Sequence, residues 1–592
     1  MNHAELPNTP AGNVSEKASE NPRRLPTSSS SERRHGKGTH RRIGSLHVLN
    51  LQGSFAEMGE QHGALLASEV AAGPIPYFRN MVERLLGKPL GRLSPVVATA
   101  LQRVVGSRVQ REMPDFVLET ARGIARGAGL DEDTFIRGCT MPDSLIWLTS
   151  QMFKLRDPGP AVAHRLSLGL GCTSAVAWGS ATADGKLYHA RNFDYFGVDN
   201  WPNHAAVLFH SPDQGQRYVS VAAAGVGLGG ITAMNASGLS LTVHQHMFTD
   251  KARLGGLPIG IVGDIIMREA TNLAEAEAIL QRHRSIGCWT YVITSAREKA
   301  VLCFEENPDR KVAIRTTPQD NTFSYANIYL DEELGKTEVA AYGSYWRHNH
   351  GRFARAKELV EGGQGKLDAQ GMANILADRG DPRCRIRDSI AMVLTVGSIV
   401  FRPDDGTVWL GVGDAPTSRA TFIPLSLETG AHAPDRGSFQ IDDGAASTDE
   451  AAFQHFRKAY IAYVDGSDAE GAMNAVAEAA RLAPKQALYH STEGLLAVES
   501  LAHGRAEQAF SRAIELGHPD QERVASFFLW RARARDLAGQ RAVALNDYRA
   551  CLARTADAPV HAAARKGMKR PFAPSAAKRM HVEMSLGDVV QP

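Results

Sequence analysis

The spacing of apolar residues along this chain changes at Gly171. Through residues 43–171 apolar side chains recur at steps of three and four, which predicts a mainly α-helical segment. From Cys172 onward they form short, nearly alternating runs broken by Gly, Asp and Asn, which is the pattern of β-strands. Helical stretches then separate further strand-like runs. Residues 172–425 are therefore predicted to form an α+β domain of sheets covered by helices.

A chain of 592 residues is too long for one hydrophobic core, so further domains are expected. The segment GRAEQAF at 504–510 is echoed by GQRAVAL at 539–545 at an offset of 35 residues. This offset predicts all-α tetratricopeptide-like repeats, whose period is about 34 residues, and an unrelated Ala-rich helical bundle is the alternative. The remaining predicted segments are a disordered basic tail over 1–42, a linker over 426–450, the repeats over 451–560, and a basic, flexible tail over 561–592.

The composition excludes several classes of protein. A net charge of +2 gives no global field that would attract nucleic acid, and no stretch approaches the roughly 18 apolar residues of a membrane span. The six cysteines are scattered without a C-x-x-C pair, which argues against a zinc site and a disulfide framework. We expect no cofactor and no metal. A cytoplasmic location is predicted, because the N-terminus lacks the apolar core of a secretory signal.

The sequence GCTSAVAW places Cys172 directly after Gly171, at the start of a predicted strand. If the bond between these two residues were cut, Cys172 would carry a free α-amine beside its thiol. An α-amine has a pKa of about 8, so it can accept the thiol proton near neutral pH. One residue would then supply both nucleophile and general base. Gly171 suits a cleavage point because a residue without Cβ tolerates strained backbone.

The sequence HARNFDYF follows a tight turn that Asp184 and Gly185 predict. Antiparallel pairing across that turn would return Arg191 and Asp194 towards Cys172. The guanidinium would favour a thiolate at the cysteine, and the carboxylate would orient the amine. A structural ion pair between the arginine and the aspartate is the alternative.

The segment AMNASGL places Asn235 in a predicted turn directly before another strand. The side-chain N–H of an asparagine in such a position can stabilise the oxyanion that forms during attack on a carbonyl group. An asparagine also tolerates left-handed backbone, so a purely structural turn residue is the alternative.

These segments resemble the penicillin acyltransferase family of cysteine N-terminal-nucleophile hydrolases. The resemblance depends on the following motifs in this order: Gly53, Gly59 and Gly63 after an alternating, strand-like stretch at residues 43–52, GCT from Gly171, RNFDY from Arg191, and MN-x-x-GL from Met234. It covers about residues 45–425, without the tail or the repeats. The resemblance implies an αββα sandwich, a precursor that cuts itself before Cys172, and attack on amide bonds through a thioester acyl-enzyme. Residues 43–171 would then be a pro-segment or α-subunit.

The resemblance also implies roles for individual residues. Cys172 would be the nucleophile, Arg191 and Asp194 would support it, and Asn235 would lie in the oxyanion hole. A second asparagine of the family follows a later strand, and the segment YANIY makes Asn327 its counterpart.

Members of the family often place an arginine from the C-terminal part of the domain near the site. No single counterpart can be aligned here, and three crowded candidates stay open: Arg383, Arg385 and Arg387. Arg352 and Arg355 are instead interpreted as the polar face of a helix.

The resulting hypothesis is a self-processing amidohydrolase or N-acyltransferase that acts on small-molecule N-acyl or amide substrates. The repeats would bind a protein partner or mediate self-association. A catalytically inactive protein of this fold, serving as an interaction module through its repeats, is the alternative. A papain-like thiol protease lacks its flanking signature here, and a serine hydrolase would need a G-x-S-x-G motif that the sequence does not contain.

Overall fold

The computed structural model of the protein describes residues 31–90, 94–154, 171–339, 343–380, 389–441 and 448–589. Its architecture is mixed α+β, with a helical N-terminal segment, two large central sheets and a C-terminal run of eight helices among the described residues. None of the described helices is long and apolar enough to cross a lipid bilayer.

The secondary structure alternates between helical and strand-rich stretches along the chain. The strands are β1 Arg33–His35, β2 Gly38–Ile43, β3 Leu46–Gly53, β4 Gly171–Ala177, β5 Tyr188–Asp194, β6 Ala205–Pro212, β7 Tyr218–Ala223, β8 Thr232–Asn235, β9 Leu239–Gln245, β10 Trp289–Ser295, β11 Ala300–Asn307, β12 Arg310–Arg315, β13 Thr322–Tyr325, β14 Thr395–Arg402, β15 Thr407–Val412, β16 Thr421–Ser426, β17 Ala431–His432, β18 Phe439–Gln440, β19 Val582–Glu583 and β20 Asp588–Val589. The α-helices are α1 Phe55–Leu65, α2 Ala67–Ala72, α3 Pro74–Leu90, α4 Ser94–Leu101, α5 Ser107–Arg111, α6 Asp115–Gly127, α7 Glu132–Cys139, α8 Met141–Lys154, α9 Asn200–Asn203, α10 Ile261–Glu269, α11 Leu273–Arg282, α12 Glu332–Gly335, α13 Gly343–Gly362, α14 Ala369–Leu376, α15 Thr448–Val464, α16 Ala469–Leu482, α17 Ala487–Glu499, α18 His503–Leu516, α19 Gln521–Leu537, α20 Arg541–Leu552, α21 Ala558–Lys569 and α22 Pro574–Ala577.

Two sheets pack face to face at the centre of the described chain. The first has ten strands in the order β1-β2-β3-β6-β7-β8-β9-β10-β11-β12, and the second has the order β13-β4-β5-β14-β15-β16-β17, with β18 also paired to β16. Apolar side chains of both sheets share one buried cluster, in which Phe209 and Val219 of the first meet Phe401 and Leu410 of the second. This packing buries one face of each sheet away from water.

Helices cover the outer face of each sheet. Helices α1 and α6 share a buried cluster with β3 and β6 of the first sheet, and α13 and α14 share another with β4, β5 and β14 of the second. The layers therefore follow the order helix, sheet, sheet, helix. The predicted αββα sandwich is confirmed.

Glycines of the N-terminal motif allow two helices to cross closely. A Cβ at Gly59 or Gly63 of α1 would collide with backbone atoms of α6, and a Cβ at Gly123 or Gly127 of α6 would collide with backbone atoms of α1. The close crossing needs glycine on both helices because their backbones touch. The motif glycines thus serve helix packing on the first sheet.

The N-terminal segment contributes strands as well as helices. Residues 33–42, which were predicted to lie in a disordered tail, belong to β1 and β2 at the edge of the first sheet, and β3 pairs in parallel with β6. The prediction failed because basic composition suits an exposed edge strand as well as a tail: all three residues of β1 are exposed, whereas Ile43 of β2 is buried. The predicted tail over residues 1–30 lies outside the described residues.

The predicted C-terminal tail is also wrong for residues 561–589. Helices α21 and α22 and a small β19–β20 hairpin occupy this stretch. Its apolar residues are buried in the main core: Met580, Val582, Met584, Leu586 and Val589. These residues alternate with polar ones, and that pattern gains stability only when another surface covers it.

The predicted linker over residues 426–450 is shorter than expected. Strands β17 and β18 extend the second sheet into this stretch, and α15 begins at Thr448. Residues 442–447 lie outside the described residues. Beyond them, successive helices from α15 to α21 pack against each other along the chain.

Candidate active site

Cys172 lies near the start of β4, an interior strand of the second sheet. Strand β4 pairs with β13 on one side and with β5 on the other, and the residue is 5% exposed. The predicted tight hairpin is wrong: β4 and β5 are joined by residues 178–187, which include a short 3-10 helix at Gly179–Ala181 as well as the turn at Asp184 and Gly185. The register of the two strands places Cys172 opposite Phe193. Hydrogen bonds on both edges fix the backbone position of the thiol.

Arg191 contacts the sulfur of Cys172 directly. Its Nη2 donates to Sγ over 3.1 Å and to the carbonyl of Val243 over 2.8 Å. Its Nη1 donates to the carbonyl of Ile231 over 2.9 Å and to the hydroxyl of Thr232. The guanidinium is fully buried, and its three neutral oxygen acceptors hold it in place against the sulfur.

The remaining described cysteines sit in different surroundings. Burial raises the pKa of Cys139 and Cys288 to about 12 and that of Cys551 to about 11, so these thiols stay protonated at neutral pH. Among the residues that the structure describes, Cys172 is the cysteine whose sulfur accepts a hydrogen bond from a guanidinium. Chemistry at sulfur is therefore favoured at this position.

Asn327 binds the backbone nitrogen of Cys172. It follows β13, the neighbour of β4, and its Oδ1 accepts the Cys172 N–H over 2.6 Å. Its Nδ2 donates to the carbonyl of Gln245 over 2.8 Å, which fixes the orientation of the amide. If the chain were cut before Cys172, this acceptor would face the new α-amine.

Arg352 of α13 binds the other side of the same residue. Its Nη1 donates to the carbonyl oxygen of Cys172 over 2.7 Å and to Oγ1 of Thr173 over 2.8 Å. Its Nη2 donates to Oδ1 of Asn349 over 2.7 Å and to Oδ1 of Asn327 over 3.1 Å. Four hydrogen bonds thus hold this fully buried guanidinium against β4.

The interpretation of Arg352 as part of a polar helix face is therefore wrong. A sequence signal for its role exists, because Tyr345, Asn349, Arg352 and Ala356 share one face of α13 at helical spacing and are all buried. Asn349 and Arg352 are strongly polar, and their place on a helix face that packs on a sheet indicates that they bind polar groups of that sheet. The alternatives Arg383, Arg385 and Arg387 lie outside the described residues.

Asp194 lies at the end of β5, opposite Gly171. Its Oδ1 accepts a hydrogen bond from the hydroxyl of Thr395 over 2.6 Å, and its Oδ2 has no hydrogen-bond partner among the described residues. Burial raises the pKa of Asp194 to about 6, although Nη1 of Arg352, 3.9 Å from Oδ2, opposes the shift. An ion pair between Asp194 and Arg191 is not formed. A buried carboxylate oxygen beside the Gly171–Cys172 bond is therefore open to a new cationic partner.

Asn235 does not join this group. Its Nδ2 donates to the carbonyls of Met267 and Ala270 at the end of α10, over 3.2 Å and 2.9 Å. Its Oδ1 accepts the N–H groups of Ser237 and Leu239 in the turn between β8 and β9. All of its hydrogen-bonding groups are used away from Cys172, which agrees with the turn interpretation and not with an oxyanion hole.

Two buried histidines near the site have hydrogen-bonding roles. His244 lies 2.9 Å from the hydroxyl of Ser174, and His246 lies 2.9 Å from a carboxylate oxygen of Glu338. Burial and the charge of Arg191 keep the pKa of His244 well below its usual range, so this ring is neutral. Within the described part of the chain, no group of three or more His, Cys, Asp or Glu side chains is placed to hold a metal ion.

A cavity of about 220 Å³ opens beside Cys172. Cys172, Asp194 and Asn327 contribute to its lining, and most other lining residues are apolar or aromatic. The walls come from both sides of Gly171 and include Phe78, Met81, Val117 and Ile146 before it, and Phe193, Phe196, Trp201 and Met247 after it. A cut at Gly171 would therefore leave a pocket shared by two fragments.

Two sequence comparisons bear on this region. Residues 180–416 match the family described as acyl-coenzyme A:6-aminopenicillanic acid acyl-transferase. An uncharacterized protein of Archaeoglobus fulgidus is 26% identical over 337 residues, which cover 51% of this chain and 53% of that protein. The chain thus spans about half the length of this curated relative.

Solved structures of low identity are also similar to parts of the chain. A Caenorhabditis elegans ortholog of N-acylethanolamine-hydrolyzing acid amidase matches with 16% identity and a TM-score of 0.28, over 39% of this chain and 93% of that one. The N-terminal domain of stress-induced protein-1 from C. elegans matches with 16% identity and a TM-score of 0.20, over 21% of this chain and 100% of that one. The match of residues 180–416 to the acyl-coenzyme A:6-aminopenicillanic acid acyl-transferase family agrees with the family that the resemblance predicted.

Proposed function

We propose that the protein is a self-processing amide hydrolase or N-acyltransferase whose nucleophile is Cys172. The family match of residues 180–416 supports the coarser conclusion of an amidase or acyltransferase. The observation that carries the assignment is the convergence of three fixed groups on one residue: Arg191 at the sulfur, Asn327 at the nitrogen and Arg352 at the carbonyl oxygen. A cysteine that served only packing would need none of these contacts.

Maturation is proposed to begin with the thiolate of Cys172. The sulfur attacks the carbonyl carbon of Gly171, the C–N bond of the Gly171–Cys172 peptide breaks, and the nitrogen takes up a proton. Water then hydrolyses the resulting thioester, which leaves a carboxylate on Gly171 and a free thiol and α-amine on Cys172. Arg191, which lies 3.1 Å from the sulfur, supports the attacking thiolate.

In turnover the new α-amine would act as the general base. It takes the thiol proton, the sulfur attacks the carbonyl carbon of the substrate amide, and the departing amine receives the proton. The acyl group then rests on sulfur as a thioester and passes to water or to an acceptor amine. Oδ1 of Asn327 and Oδ2 of Asp194, which accepts no hydrogen bond from the described residues, would hold the α-ammonium that forms in each cycle.

The cavity beside Cys172 supports an apolar acyl group on the substrate. Its walls are built mainly from aliphatic and aromatic side chains such as Met81, Val117, Phe196 and Trp201. An acyl chain would transfer to these walls from water at about 0.8 kcal/mol per methylene, whereas a charged group would lose its hydration there. We therefore propose N-acyl amides with an extended apolar acyl chain as the substrate class.

The test combines intact mass measurement with N-terminal sequencing of the purified protein. Wild-type protein should yield two fragments, the second starting at Cys172, and Cys172→Ala should stay uncut and inactive towards N-acyl amides. Cys551→Ala, a buried cysteine of the C-terminal helices, is the matched control and should be cut normally. An uncut wild-type chain that hydrolyses amides, or a cut Cys172→Ala chain, would refute the proposal.

A further inference from the structure

The helix that carries Arg352 is also bound by the C-terminal helices. Arg347 lies on α13 five residues before Arg352, and its Nε donates to Oδ2 of Asp520 over 2.8 Å. Its Nη1 donates to Oδ1 of Asp557 over 2.7 Å. Asp520 precedes α19 and Asp557 precedes α21, so two separate helices of the C-terminal run bind one arginine of the catalytic domain.

This contact is close and mostly sheltered from water. The side chains of Arg347 and Asp520 are 20% and 3% exposed, so removal of the arginine would leave a buried carboxylate without one of its partners. At Gly343, the first residue of α13, a Cβ would collide with the carboxyl group of Asp557. The start of α13 therefore touches the C-terminal helices with its backbone.

The same helices contact the wall of the cavity. Asp465, which follows α15, accepts a hydrogen bond from the hydroxyl of Tyr77 over 2.5 Å, and Tyr77 lines the cavity. Arg457 of α15 binds Asp199 at 3.3 Å and Asp414 at 3.2 Å. Asp199 directly precedes α9, whose Trp201 also lines the cavity.

The chain's own C-terminal segment, residues 580–589, lies against the helices of the run. The N–H of Val582 donates to the hydroxyl of Tyr463 over 3.0 Å, and Arg523 of α19 donates to the carbonyls of Leu586 and Gly587 over 2.6 Å and 3.0 Å. The small strand β19 also touches α17. Residues of this segment share the main core with Tyr345 of α13. The segment thus fills the space between α15, α17 and α19 on one side and the catalytic domain on the other.

We propose that the C-terminal helices are a positioning domain of the active site, and that Arg347 is the positioning residue through which they act. The inference depends on the proposed function of Cys172. Asp520 and Asp557 fix Arg347, and the rigid helix α13 carries this constraint over a rise of about 7.5 Å to Arg352, which binds the carbonyl of Cys172. Arg347 is not among the residues that line the cavity, and it donates hydrogen bonds to Asp520 and Asp557, so we assign its effect to the position of Arg352 on the same helix.

The experiment compares Arg347→Ala, Arg347→Lys and the matched control Arg355→Ala in the full-length protein. Arg355 lies on the same helix and binds Asp378 over 3.0 Å and 2.8 Å, but that partner belongs to the catalytic domain. A displacement of about 1 Å at a catalytic group costs on the order of 100-fold in rate, so Arg347→Ala should lower kcat and the rate of self-cleavage 10- to 100-fold. KM should change less than threefold because the cavity wall keeps its own contacts.

Arg347→Lys should recover part of the lost rate, since it keeps the charge but binds one carboxylate at a time. Arg355→Ala should stay within twofold of wild type in kcat. All variants are assayed below their measured unfolding temperatures. If Arg347→Ala fails to fold, Asp557→Asn removes one of the two carboxylates and should lower kcat several-fold.

Two outcomes overturn the inference alone: an Arg347→Ala enzyme that is cut and turns over at the wild-type rate, or an equal loss in Arg355→Ala. A wild-type protein that is neither cut at Gly171 nor active on amides would instead overturn the proposed function, and the inference with it.

Discussion

Gly171→Ala places a Cβ 2.7 Å from Nη2 and 3.1 Å from Cζ of Arg352. Carbon atoms essentially never approach a guanidinium so closely, so either the arginine or the start of β4 must shift. The arginine cannot move freely, because its two terminal nitrogens make four hydrogen bonds to Cys172, Thr173, Asn327 and Asn349. A charged hydrogen bond contributes about 1.5–3 kcal/mol. If one such hydrogen bond stabilises the transition state of self-cleavage, its loss lowers the rate of self-cleavage about 10- to 100-fold.

The assay follows the appearance of the two fragments on a denaturing gel after expression of the precursor. Gly335→Ala is the matched control, since a Cβ there meets nothing within 4 Å. Gly335→Ala should be cut at the wild-type rate, and Gly171→Ala should accumulate as precursor. Equal rates of cutting in wild type and Gly171→Ala would show that Arg352 does not constrain the bond that is broken.

Three further predictions follow from individual residues. Asn235→Ala should lower the free energy of unfolding by about 1–3 kcal/mol, because it removes the hydrogen bonds that the side chain donates to the carbonyls of Met267 and Ala270. Self-cleavage should keep its rate, and a selective loss of that rate would contradict this prediction. Burial raises the pKa of Asp143 from 3.8 to about 7, so the wild-type protein loses stability as pH rises from 4 to 7 and Asp143→Asn does not. The free energy of unfolding of Asp143→Asn relative to wild type should therefore rise by roughly 4 kcal/mol at most over this range and then level off. Midpoint temperatures at pH 5 and pH 8 test this, and a constant difference would refute it. Lengthening a linear acyl chain should raise kcat/KM about fourfold per methylene until the 220 Å³ cavity is filled, and a flat series would refute an apolar acyl site.

Local pairing explains how much of the site could be predicted from the sequence. Arg191 and Asp194 lie on β5, the next strand after the one that carries Cys172, and antiparallel pairing of the two strands brings them close. The change of apolar spacing at Gly171 is a local signal of strands and predicted the α+β class, whereas the αββα sandwich was implied by the family resemblance and is confirmed by the structure. The catalytic roles of these residues stay predictions.

Arg352 could not be found by spacing. It lies 180 residues after Cys172, and its contact with β4 depends on the angle at which α13 packs on the second sheet. For Asn235, in contrast, the sequence predicted a place in the site that the structure does not give it. Its motif placed it with the site, but the packing of α10 against its side chain uses all of its hydrogen bonds elsewhere.

The two ends of the described chain also separate what local sequence determines from what tertiary packing determines. By itself, the sequence determined the helix and strand periods and the strand that begins at Gly171, because these depend on neighbours a few residues apart. Only the tertiary structure decided that residues 33–43 join a sheet, that residues 580–589 enter the core, and that Arg352 binds Cys172. The physical reason is that a short amphipathic or polar segment has no preferred place until a distant surface covers it, and burial by that surface supplies the free energy that orders it.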